Sequence, residues 1–395
     1  MFARPSPTMA TPAYRPTTSL GTNFADLDVA STPLGIGYIV LTNRARHPAW
    51  KLGGIMRIGL VGYGVGGRYF HAPFIQAAEG CELTGIVARS PQRVAEVHQD
   101  LPGVPVFASL GELLDAGVDA VTISTPPQTR RELVLEAVGR GVNVIADKPF
   151  APTAAAGQAL VDAAAAAGVL LSVFHNRRWD TDITTLRGVL DEGLLGEVWR
   201  FDSRFDLDEP QTLEAGPDGG LLRDLGSHLV DQALWLLGPP QLVSANLDWV
   251  ELPEGRTDAG FVITLSHASG AHSHISSSKV NRLESRELRV LGSRGSYVSS
   301  QTDVQAQAIF TGLRPVDDPS GWGYEKPERW GTLSIDSGIH RVPSAQGSYA
   351  DYYARFAAAV SGVGAQPVPA SEAVATLAVL DAARISAAEG QTVKI

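Results

Sequence analysis

The chain has 395 residues and a formal net charge of −10, with 44% hydrophobic and 19% charged residues. This length suffices for two domains, and the composition excludes intrinsically disordered and fibrous proteins. Residues 1–55 are net basic, so the remainder of the chain is strongly acidic. Nucleic-acid binding needs a basic face, and we therefore expect no nucleic-acid partner.

The cysteine content indicates a reducing compartment. Cys81 is the single cysteine, so neither an intramolecular disulfide nor a thiolate-rich metal site can form. We therefore expect a cytoplasmic location. No membrane partner is expected either, because no stretch approaches the ~20 apolar residues of a membrane span.

Residues 1–55 differ from the rest of the chain. They are rich in Pro, Thr, Ser and Ala and show little periodicity. A secretory signal would need an apolar centre near the start, which this segment lacks. We interpret the segment as a disordered extension or as the product of an upstream start codon. Met56, which stands just before the first convincing strand, supports the second interpretation.

From residue 57 onward, short apolar strands alternate with helices. Strands are predicted at 58–61, 83–87, 118–124, 142–146 and 169–174. Helices are predicted from the first glycine-rich turn to about residue 78, and at 91–99, 130–139 and 153–167. This alternation is typical of an α/β fold with a doubly wound parallel sheet and helices on both faces. It predicts a Rossmann dinucleotide-binding domain over residues 56–176.

The pattern changes in the second half, which predicts an α+β domain over residues 177–395. Helices are predicted at 181–192, 226–237, 349–360 and 371–388. Five strands in succession are predicted at 242–249, 260–266, 272–278, 287–291 and 296–300. Consecutive strands with few helices indicate a large, mainly antiparallel sheet. Residues 311–345, rich in Gly, Pro and Trp, are interpreted as a long loop.

A glycine motif lies between the first strand and the first helix. In Gly62-x-Gly64-x-x-Gly67, the first glycine permits a tight turn and the second allows a pyrophosphate to approach the backbone. The third allows the helix to pack against the strand. The helix N-terminus would offer free N–H groups to the phosphates. The cofactor-binding residues predicted from this turn are Gly62, Tyr63, Gly64, Val65, Gly66 and Gly67.

The end of the second strand bears on the choice of cofactor. NAD enzymes place an acidic residue there for the adenine ribose, but this chain has Arg89 and Ser90. These side chains would attract and hydrogen-bond a 2′-phosphate, which favours NADP while leaving NAD possible. Arg93, one turn later, could assist. The alternative is that Arg89 is a solvated loop residue.

Three further residues are candidates for catalysis. Lys148, in Asp147-Lys148-Pro149, follows a strand at the edge where open α/β sheets bind ligands, and a lysine there can hydrogen-bond a substrate hydroxyl. Asp224 and His228 are four residues apart and can share a helix face. The carboxylate could orient the imidazole as a base for a hydroxyl proton. Alternatively, the pair is an N-cap acid and a core histidine.

Other polar residues are weaker candidates. His175, Asn176 and Arg178 follow a strand at the domain junction and could line a substrate cleft, or could form a hinge held by ion pairs. His272 and His274 would lie on one side of a strand, as metal ligands could. A polar sheet face is the simpler interpretation, and no metal is expected.

These motifs in this order resemble the glucose–fructose oxidoreductase, inositol dehydrogenase and rhizopine-catabolism (Gfo/Idh/MocA) family from about residue 56 to the C-terminus. The resemblance implies a Rossmann domain, a C-terminal domain with an open sheet, and homo-oligomers formed through that sheet. It implies catalytic roles for Lys148, Asp224 and His228, and places Thr125 and Pro126 beside the nicotinamide. Asp147 replaces the usual glutamate before the lysine, and its reach toward the nicotinamide ribose is shorter.

A narrower resemblance concerns the substrate. The segments 70–73, 175–180, 224–228, 321–323 and 347–349 look like those of NADP-dependent scyllo-inositol 2-dehydrogenases. This implies hydride transfer between NADP and a hydroxyl or ketone of a cyclic polyol or sugar. Two alternatives stay open: a dehydrogenase of another sugar or sugar acid, and a non-catalytic NAD(P)-sensing regulator of the same fold.

Overall fold

The computed structural model describes residues 54–216 and 219–395, together with two short N-terminal strands, β1 (Val29–Ser31) and β2 (Gly37–Ile39). These two strands pair with each other at one edge of a large sheet. Most of the segment 1–55 lies outside the described residues. The interpretation of that segment as disordered or spurious therefore stays a prediction.

The first half of the described chain forms a six-stranded, fully parallel sheet in the order β5-β4-β3-β6-β7-β8. Its strands are β3 (Met56–Val61), β4 (Cys81–Val87), β5 (Val106–Phe107), β6 (Ala120–Ile123), β7 (Asn143–Ala146) and β8 (Leu171–Val173). Its helices are α1 (Ala72–Ala77), α2 (Pro91–Asp100), α3 (Leu110–Asp115), α4 (Pro127–Gly139) and α5 (Ala154–Ala167), with a π-helical turn at Gly66–His71 leading into α1. The strand order reverses between β3 and β6, which opens a crevice at their carboxyl ends.

The second half forms an eleven-stranded, mostly antiparallel sheet in the order β1-β2-β16-β15-β14-β13-β9-β12-β11-β10-β17. Its further strands are β9 (Val198–Asp206), β10 (Pro240–Leu252), β11 (Gly255–His267), β12 (His272–Ser278), β13 (Ser285–Gly292), β14 (Gly295–Ser299), β15 (Gly331–Ile335), β16 (Gly338–Val342) and β17 (Val393–Lys394). Its helices are α6 (Thr181–Asp191), α7 (Leu221–Leu237), α8 (Val304–Phe310), α9 (Ala350–Val360) and α10 (Ala370–Glu389). The predicted fold class is thus confirmed.

Several elements differ from the sequence-based expectation. The prediction of a loop over 311–345 is wrong in part, because β15 and β16 form a hairpin there. Each of these strands has five residues, and the surrounding Gly, Pro and Trp obscured the alternation of buried and exposed side chains. The elements β5, α3, β9 and α8 were also not predicted.

Helix α7 begins five residues earlier than predicted, at Leu221 rather than 226. Its N-cap is Gly220, and Asp258 of β11 accepts a hydrogen bond from the backbone N–H of Leu222 at 2.6 Å. A carboxylate from the neighbouring sheet thus satisfies a free N–H of the first turn. The alternative in which Asp224 caps the helix is therefore wrong. Asp224 and His228 both lie within the helix, one turn apart.

The glycine-rich turn after β3 is shaped by two close approaches. Gly62 has φ +100°, and a Cβ there would lie 2.4 Å from the carbonyl oxygen of Ser124. A Cβ at Gly67 would lie 2.1 Å from the carbonyl oxygen of Gly62. By contrast, a Cβ at Gly64 would meet no protein atom within 4 Å. The turn is therefore closed by Gly62 and Gly67, and Gly64 faces open space.

This contrast gives a paired prediction. We expect Gly62→Ala to lower the free energy of unfolding by about 3 kcal/mol or more, because the new methyl group clashes with backbone in a strained φ region. We expect Gly64→Ala to leave the free energy of unfolding within about 0.5 kcal/mol of wild type, because the site is open. Urea unfolding of the three proteins measures both effects. Equal destabilisation by the two substitutions would contradict this description of the turn.

Candidate active site

The carboxylate of Asp224 joins two lysines that arrive from different parts of the fold. Lys148, which follows β7, donates from Nζ to Oδ1 of Asp224 at 2.8 Å and lies 3.3 Å from its carbonyl oxygen. Lys279, which follows β12, donates from Nζ to Oδ2 of Asp224 at 2.9 Å. Strand β7 belongs to the parallel sheet and β12 to the large sheet, so this carboxylate lies where the two sheets meet.

The charges of this group set the ionisation of Asp224. Burial raises the pKa of the Asp224 carboxyl, but the ammonium groups of Lys148 and Lys279 outweigh that effect and hold the pKa well below its ordinary range. Two cations and one anion leave a net charge of +1. An oxygen that gains negative charge is stabilised beside such a cluster.

These side chains border a cleft of about 200 Å³. The lining residues are Pro127, Lys148, Pro149, Thr212, Leu213, Glu214, Gly219, Gly220, Leu221, Arg223, Asp224 and Lys279. The side chain of Asp224 is 44% exposed, whereas those of Lys148 and Lys279 are 18% and 6% exposed. A small polar molecule in the cleft would therefore meet the carboxylate and the Lys148 ammonium first.

Two buried imidazoles lie behind this cleft. His228 is 4% exposed, and its Nδ1 is buried without a hydrogen-bond partner among the described residues. Its ring meets that of His175 edge-on at a centroid distance of 6.4 Å. Burial, followed by the positive charge of Lys148, holds the pKa of His228 well below its ordinary value. Burial lowers the pKa of His175 to about 4. Both rings are therefore neutral at pH 7.

The contact that the sequence predicted between Asp224 and His228 is not found in the structure. Both carboxylate oxygens of Asp224 accept hydrogen bonds from lysines, and the described residues show no hydrogen bond from Asp224 to His228. The i, i+4 spacing places the two residues on neighbouring turns, but the carboxylate is drawn to the ammonium groups because charge-assisted bonds are stronger. Asp224 thus orients Lys148 rather than the imidazole.

Asp147, the residue before Lys148, links this site to the glycine-rich turn. Its Oδ2 accepts a hydrogen bond from the Ser124 hydroxyl at 2.9 Å and lies 3.3 Å from Nε2 of His71. A Cβ at Gly66 would lie 3.1 Å from the same oxygen. Burial raises the pKa of Asp147, but His71 and Arg130 overcome this and hold the pKa well below its ordinary range.

His71 ties Asp147 to the C-terminal half of the chain. It is fully buried, its Nδ1 lies 2.6 Å from the Tyr353 hydroxyl of α9, and its ring contacts that of Phe174 at 4.4 Å. Arg130 of α4 donates to the carbonyl oxygens of Thr125 and Pro149 at 2.9 and 2.5 Å. These contacts fix the loops at the carboxyl ends of β6 and β7.

The contacts of Arg178 also differ from the prediction that this residue lines a substrate cleft. Its guanidinium forms two hydrogen bonds to Asp231, at 2.8 and 2.7 Å, and a third to Glu372 at 2.6 Å. The side chains of Arg178 and Asp231 are 4% and 2% exposed. All three bonds go to carboxylates of the protein, so Arg178 has the ion pairs that the alternative interpretation predicted, while a hinge at this position stays a prediction. Asn176 is buried in the same 3₁₀ turn.

The residues predicted to bind the cofactor are divided between exposed and buried positions. Arg89 and Ser90 are exposed at the end of β4, and the Ser90 hydroxyl accepts a hydrogen bond from the backbone N–H of Arg93 as the N-cap of α2. The Arg93 guanidinium pairs with Glu96, so its predicted role at a phosphate is not supported. Tyr63 is buried, and its hydroxyl donates a hydrogen bond to Asp100. The part of Tyr63 that remains for contact with a cofactor is therefore its backbone.

The remaining predicted cofactor residues border the crevice. Thr125 and Pro126 connect β6 to α4, with Pro126 as the N-cap of that helix. Val65 is 60% exposed beside Gly64. Within the described part of the chain, no three His, Cys, Asp or Glu residues are grouped as a metal site, and no helix is long and apolar enough to cross a membrane.

Lys279, His71, Ser124 and Arg130 were not recognised as site residues from the sequence. Lys279 directly follows a predicted strand, as Lys148 does. That strand lies in a mainly antiparallel region, however, where the end of a strand does not indicate a ligand site. His71 was quoted for the family resemblance without a role. For Ser124 and Arg130, the contacts depend on loop geometry that the sequence does not specify.

A glycine-rich turn that is open at Gly64 and lies beside the reversal point of a parallel sheet is the arrangement of a dinucleotide-binding fold. The chain belongs to the Gfo/Idh/MocA family. A family model described as "Oxidoreductase family, NAD-binding Rossmann fold" matches residues 56–175, and one described as "GFO/IDH/MocA C-terminal domain" matches residues 183–298. The predicted family and the expectation of an oxidoreductase are thereby confirmed.

Individual relatives are similar over most of the chain. The uncharacterized oxidoreductase YdgJ of Escherichia coli is 36% identical, covering 82% of this chain and 94% of that protein. The NADP-dependent scyllo-inositol 2-dehydrogenase IolW of Bacillus subtilis is 30% identical, covering 86% and 96%. The solved structure of the oxidoreductase YPO2259 from Yersinia pestis has a TM-score of 0.79 at 34% identity, covering 87% and 98%.

The assignment of Arg178 generates a prediction. We expect Arg178→Met to lower the free energy of unfolding by about 3–5 kcal/mol, because it leaves the buried carboxylate of Asp231 unpaired. Urea unfolding measures this loss, and Arg200→Met, at an exposed arginine, is the matched control with a change within about 0.5 kcal/mol. Unchanged stability with a raised KM for substrate would instead return Arg178 to the substrate site.

Proposed function

We propose that the protein is an NADP-dependent dehydrogenase that interconverts a secondary alcohol and a ketone on a cyclic polyol or sugar of the scyllo-inositol type. The observation that carries this proposal is the pairing of Lys148 with Asp224 beside a cleft at the carboxyl end of β7. Similarity to a scyllo-inositol 2-dehydrogenase over most of the chain supports the substrate class.

The residues of the crevice fit a dinucleotide. The open space at Gly64 is where a pyrophosphate could approach the backbone, as the motif requires. Arg89 is exposed at the end of β4, and the described residues show no hydrogen bond or ion pair that would compete for it. This supports NADP over NAD, since an arginine attracts a 2′-phosphate. When bound, the cofactor would supply the acceptor for the hydride.

The chain's own residues would handle the substrate oxygen and its proton. Lys148 would bind the reacting oxygen through Nζ, held in place by Asp224. His228 would accept the hydroxyl proton, and its lowered pKa keeps it in the neutral form that a base requires. His175 would pack against His228 and preserve its neutrality by excluding water. In the reverse direction, His228 would return the proton to the ketone oxygen.

The large sheet supplies a surface for self-association. Its outward face exposes the apolar side chains of Val262, Val298 and Ile339. We propose, with the family resemblance, that a second copy of the chain covers this face as a homo-oligomer. We also propose that residues 56–176 form the cofactor-binding domain and that residues 177–395 form the domain for substrate binding and assembly. We propose a cytoplasmic location for the protein.

A second candidate substrate is another sugar. A D-apiose dehydrogenase of Paraburkholderia graminis is 28% identical, covering 80% of this chain and 84% of that protein. The same Lys148 and Asp224 would serve such a substrate. The non-catalytic sensor is the less favoured alternative, since a regulator does not need a lysine held beside a cleft.

A spectrophotometric screen tests the proposed function. Inositols, hexoses and related polyols are offered with NADP and NAD in parallel, to wild type and to Arg89→Ala. We expect turnover of an inositol with a preference for NADP, and a rise in the KM for NADP of roughly tenfold or more in Arg89→Ala, because a charge-assisted contact is lost. The KM for NAD should stay unchanged in this variant.

Each other outcome of the screen has a definite meaning. A preference of wild type for NAD would contradict the role of Arg89 while leaving the enzyme class intact. Turnover of another sugar alone would select the second candidate. Tight cofactor binding without turnover of any polyol would contradict the proposed function and select the sensor.

A further inference from the structure

Lysine is scarce in this protein, and two of its lysines meet at one carboxylate. The chain contains five lysines among 32 basic residues: Lys51, Lys148, Lys279, Lys326 and Lys394. Lys148 is the residue implied by the family resemblance. Lys279 has no assigned role, although it is the more deeply buried of the two. A buried ammonium is costly unless it is paired, so its presence needs an explanation.

The position of Lys279 is fixed on three sides. Its backbone N–H donates to the carbonyl oxygen of Ala259 at 3.0 Å, which extends the pairing of β12 with β11. Its Nζ donates to Oδ2 of Asp224 and to the Thr212 hydroxyl, each at 2.9 Å. The Thr212 hydroxyl in turn donates to the carbonyl oxygen of Glu209 at 2.8 Å. Thr212 therefore presents a lone pair to the ammonium, and the contact has one defined direction.

A charge comparison shows what Lys279 adds. With Lys148 and Asp224 alone, the pair would be neutral, and the carboxylate would cancel much of the positive field that Lys148 presents to a substrate oxygen. With Lys279 on the opposite carboxylate oxygen, the cluster carries +1 and the Lys148 charge stays available. A lone carboxylate could also rotate away from Lys148, whereas a carboxylate held at both oxygens cannot do so without breaking two charge-assisted bonds.

We propose that Lys279 is a positioning residue: it serves as the counter-ion of Asp224, fixes that carboxylate, and so leaves the Lys148 ammonium free to stabilise the reacting oxygen. This inference rests on the proposed function. Lys279 acts through Asp224 and does not itself contact the substrate. The charged groups that contact Asp224 are Lys148, which follows β7, and Lys279, which follows β12. His228, on the same helix as Asp224, is neutral. Arg223, the adjacent residue, directs its guanidinium to the Pro152 carbonyl oxygen.

Substitution of Lys279 tests the proposal. We expect Lys279→Met to lower kcat by about 10- to 100-fold, because the developing negative charge loses part of its stabilisation. The KM for substrate should change little. Lys279→Arg keeps the charge and should recover part of kcat. The matched control is Lys326→Met, which removes an exposed lysine and should retain wild-type kinetics.

The pH profile distinguishes positioning from a structural role. Removing the Lys279 charge raises the pKa of Asp224 from its depressed value, so the ionised form is lost at a higher pH as the solution is acidified. The acid limb of log kcat/KM should therefore move to higher pH in Lys279→Met. It should stay in place in Lys326→Met. In an Asp224→Asn background, adding Lys279→Met should cause no further shift, because the group through which Lys279 acts is gone.

The same experiment checks that each variant is folded and separates failure of this inference from failure of the proposed function. NADP affinity, measured by fluorescence, reports whether each variant is folded, and Lys279→Arg provides a charge-retaining variant if Lys279→Met is unstable. If wild type turns over substrate, and folded Lys279→Met keeps the kcat and the acid limb of wild type, the inference about Lys279 is overturned. The proposed function is not overturned by that result. A raised substrate KM at constant kcat would also overturn it, since Lys279 would then contact substrate. No turnover by wild type would overturn the proposed function and this inference together.

Discussion

The carboxylate of Asp224, held between two ammonium groups, is the interaction on which the site depends. It lies on the first turns of α7 and receives Lys148 from the parallel sheet and Lys279 from the large sheet. Three parts of the chain that are far apart in sequence therefore meet at one anion. The helix is placed for this by Asp258, which caps it from β11. A shift of α7 would separate the carboxylate from both lysines at once.

The neighbouring histidines complement this charged group. His228 and His175 are buried beside cations, and their lowered pKa values keep them neutral. A neutral imidazole can accept a proton that the Lys148 ammonium cannot accept. In the proposed mechanism, positive charge would therefore serve the substrate oxygen on one side and a base would act on the other. Asp147 and His71 connect this arrangement to the glycine-rich turn, so the cofactor side and the substrate side share one set of buried contacts.

The sequence predicted the parallel sheet and the glycine-rich turn from local pattern. The motif order suggested Lys148 and Asp224 as separate site residues, but it did not predict the contact between them. It did not predict the β15–β16 hairpin, since short strands in Gly- and Pro-rich surroundings have weak periodicity. It also missed β9, which has nine residues. It placed Asp224 against His228 from helical spacing, but Lys279 arrives from a strand that spacing cannot reveal. Arg178 was read as a substrate contact for the same reason: its partners, Asp231 and Glu372, are 53 and 194 residues away.

Isotope transfer with a Lys148→Met variant tests the central claim most directly. The polyol selected by the screen is deuterated at the carbon that is oxidised, and the appearance of deuterium on the reduced cofactor is followed together with NADP affinity. We expect transfer by wild type, and a loss of about 100- to 1000-fold in Lys148→Met at unchanged NADP affinity, because the cation at the reacting oxygen is removed. Transfer by Lys148→Met at the wild-type rate would contradict the account.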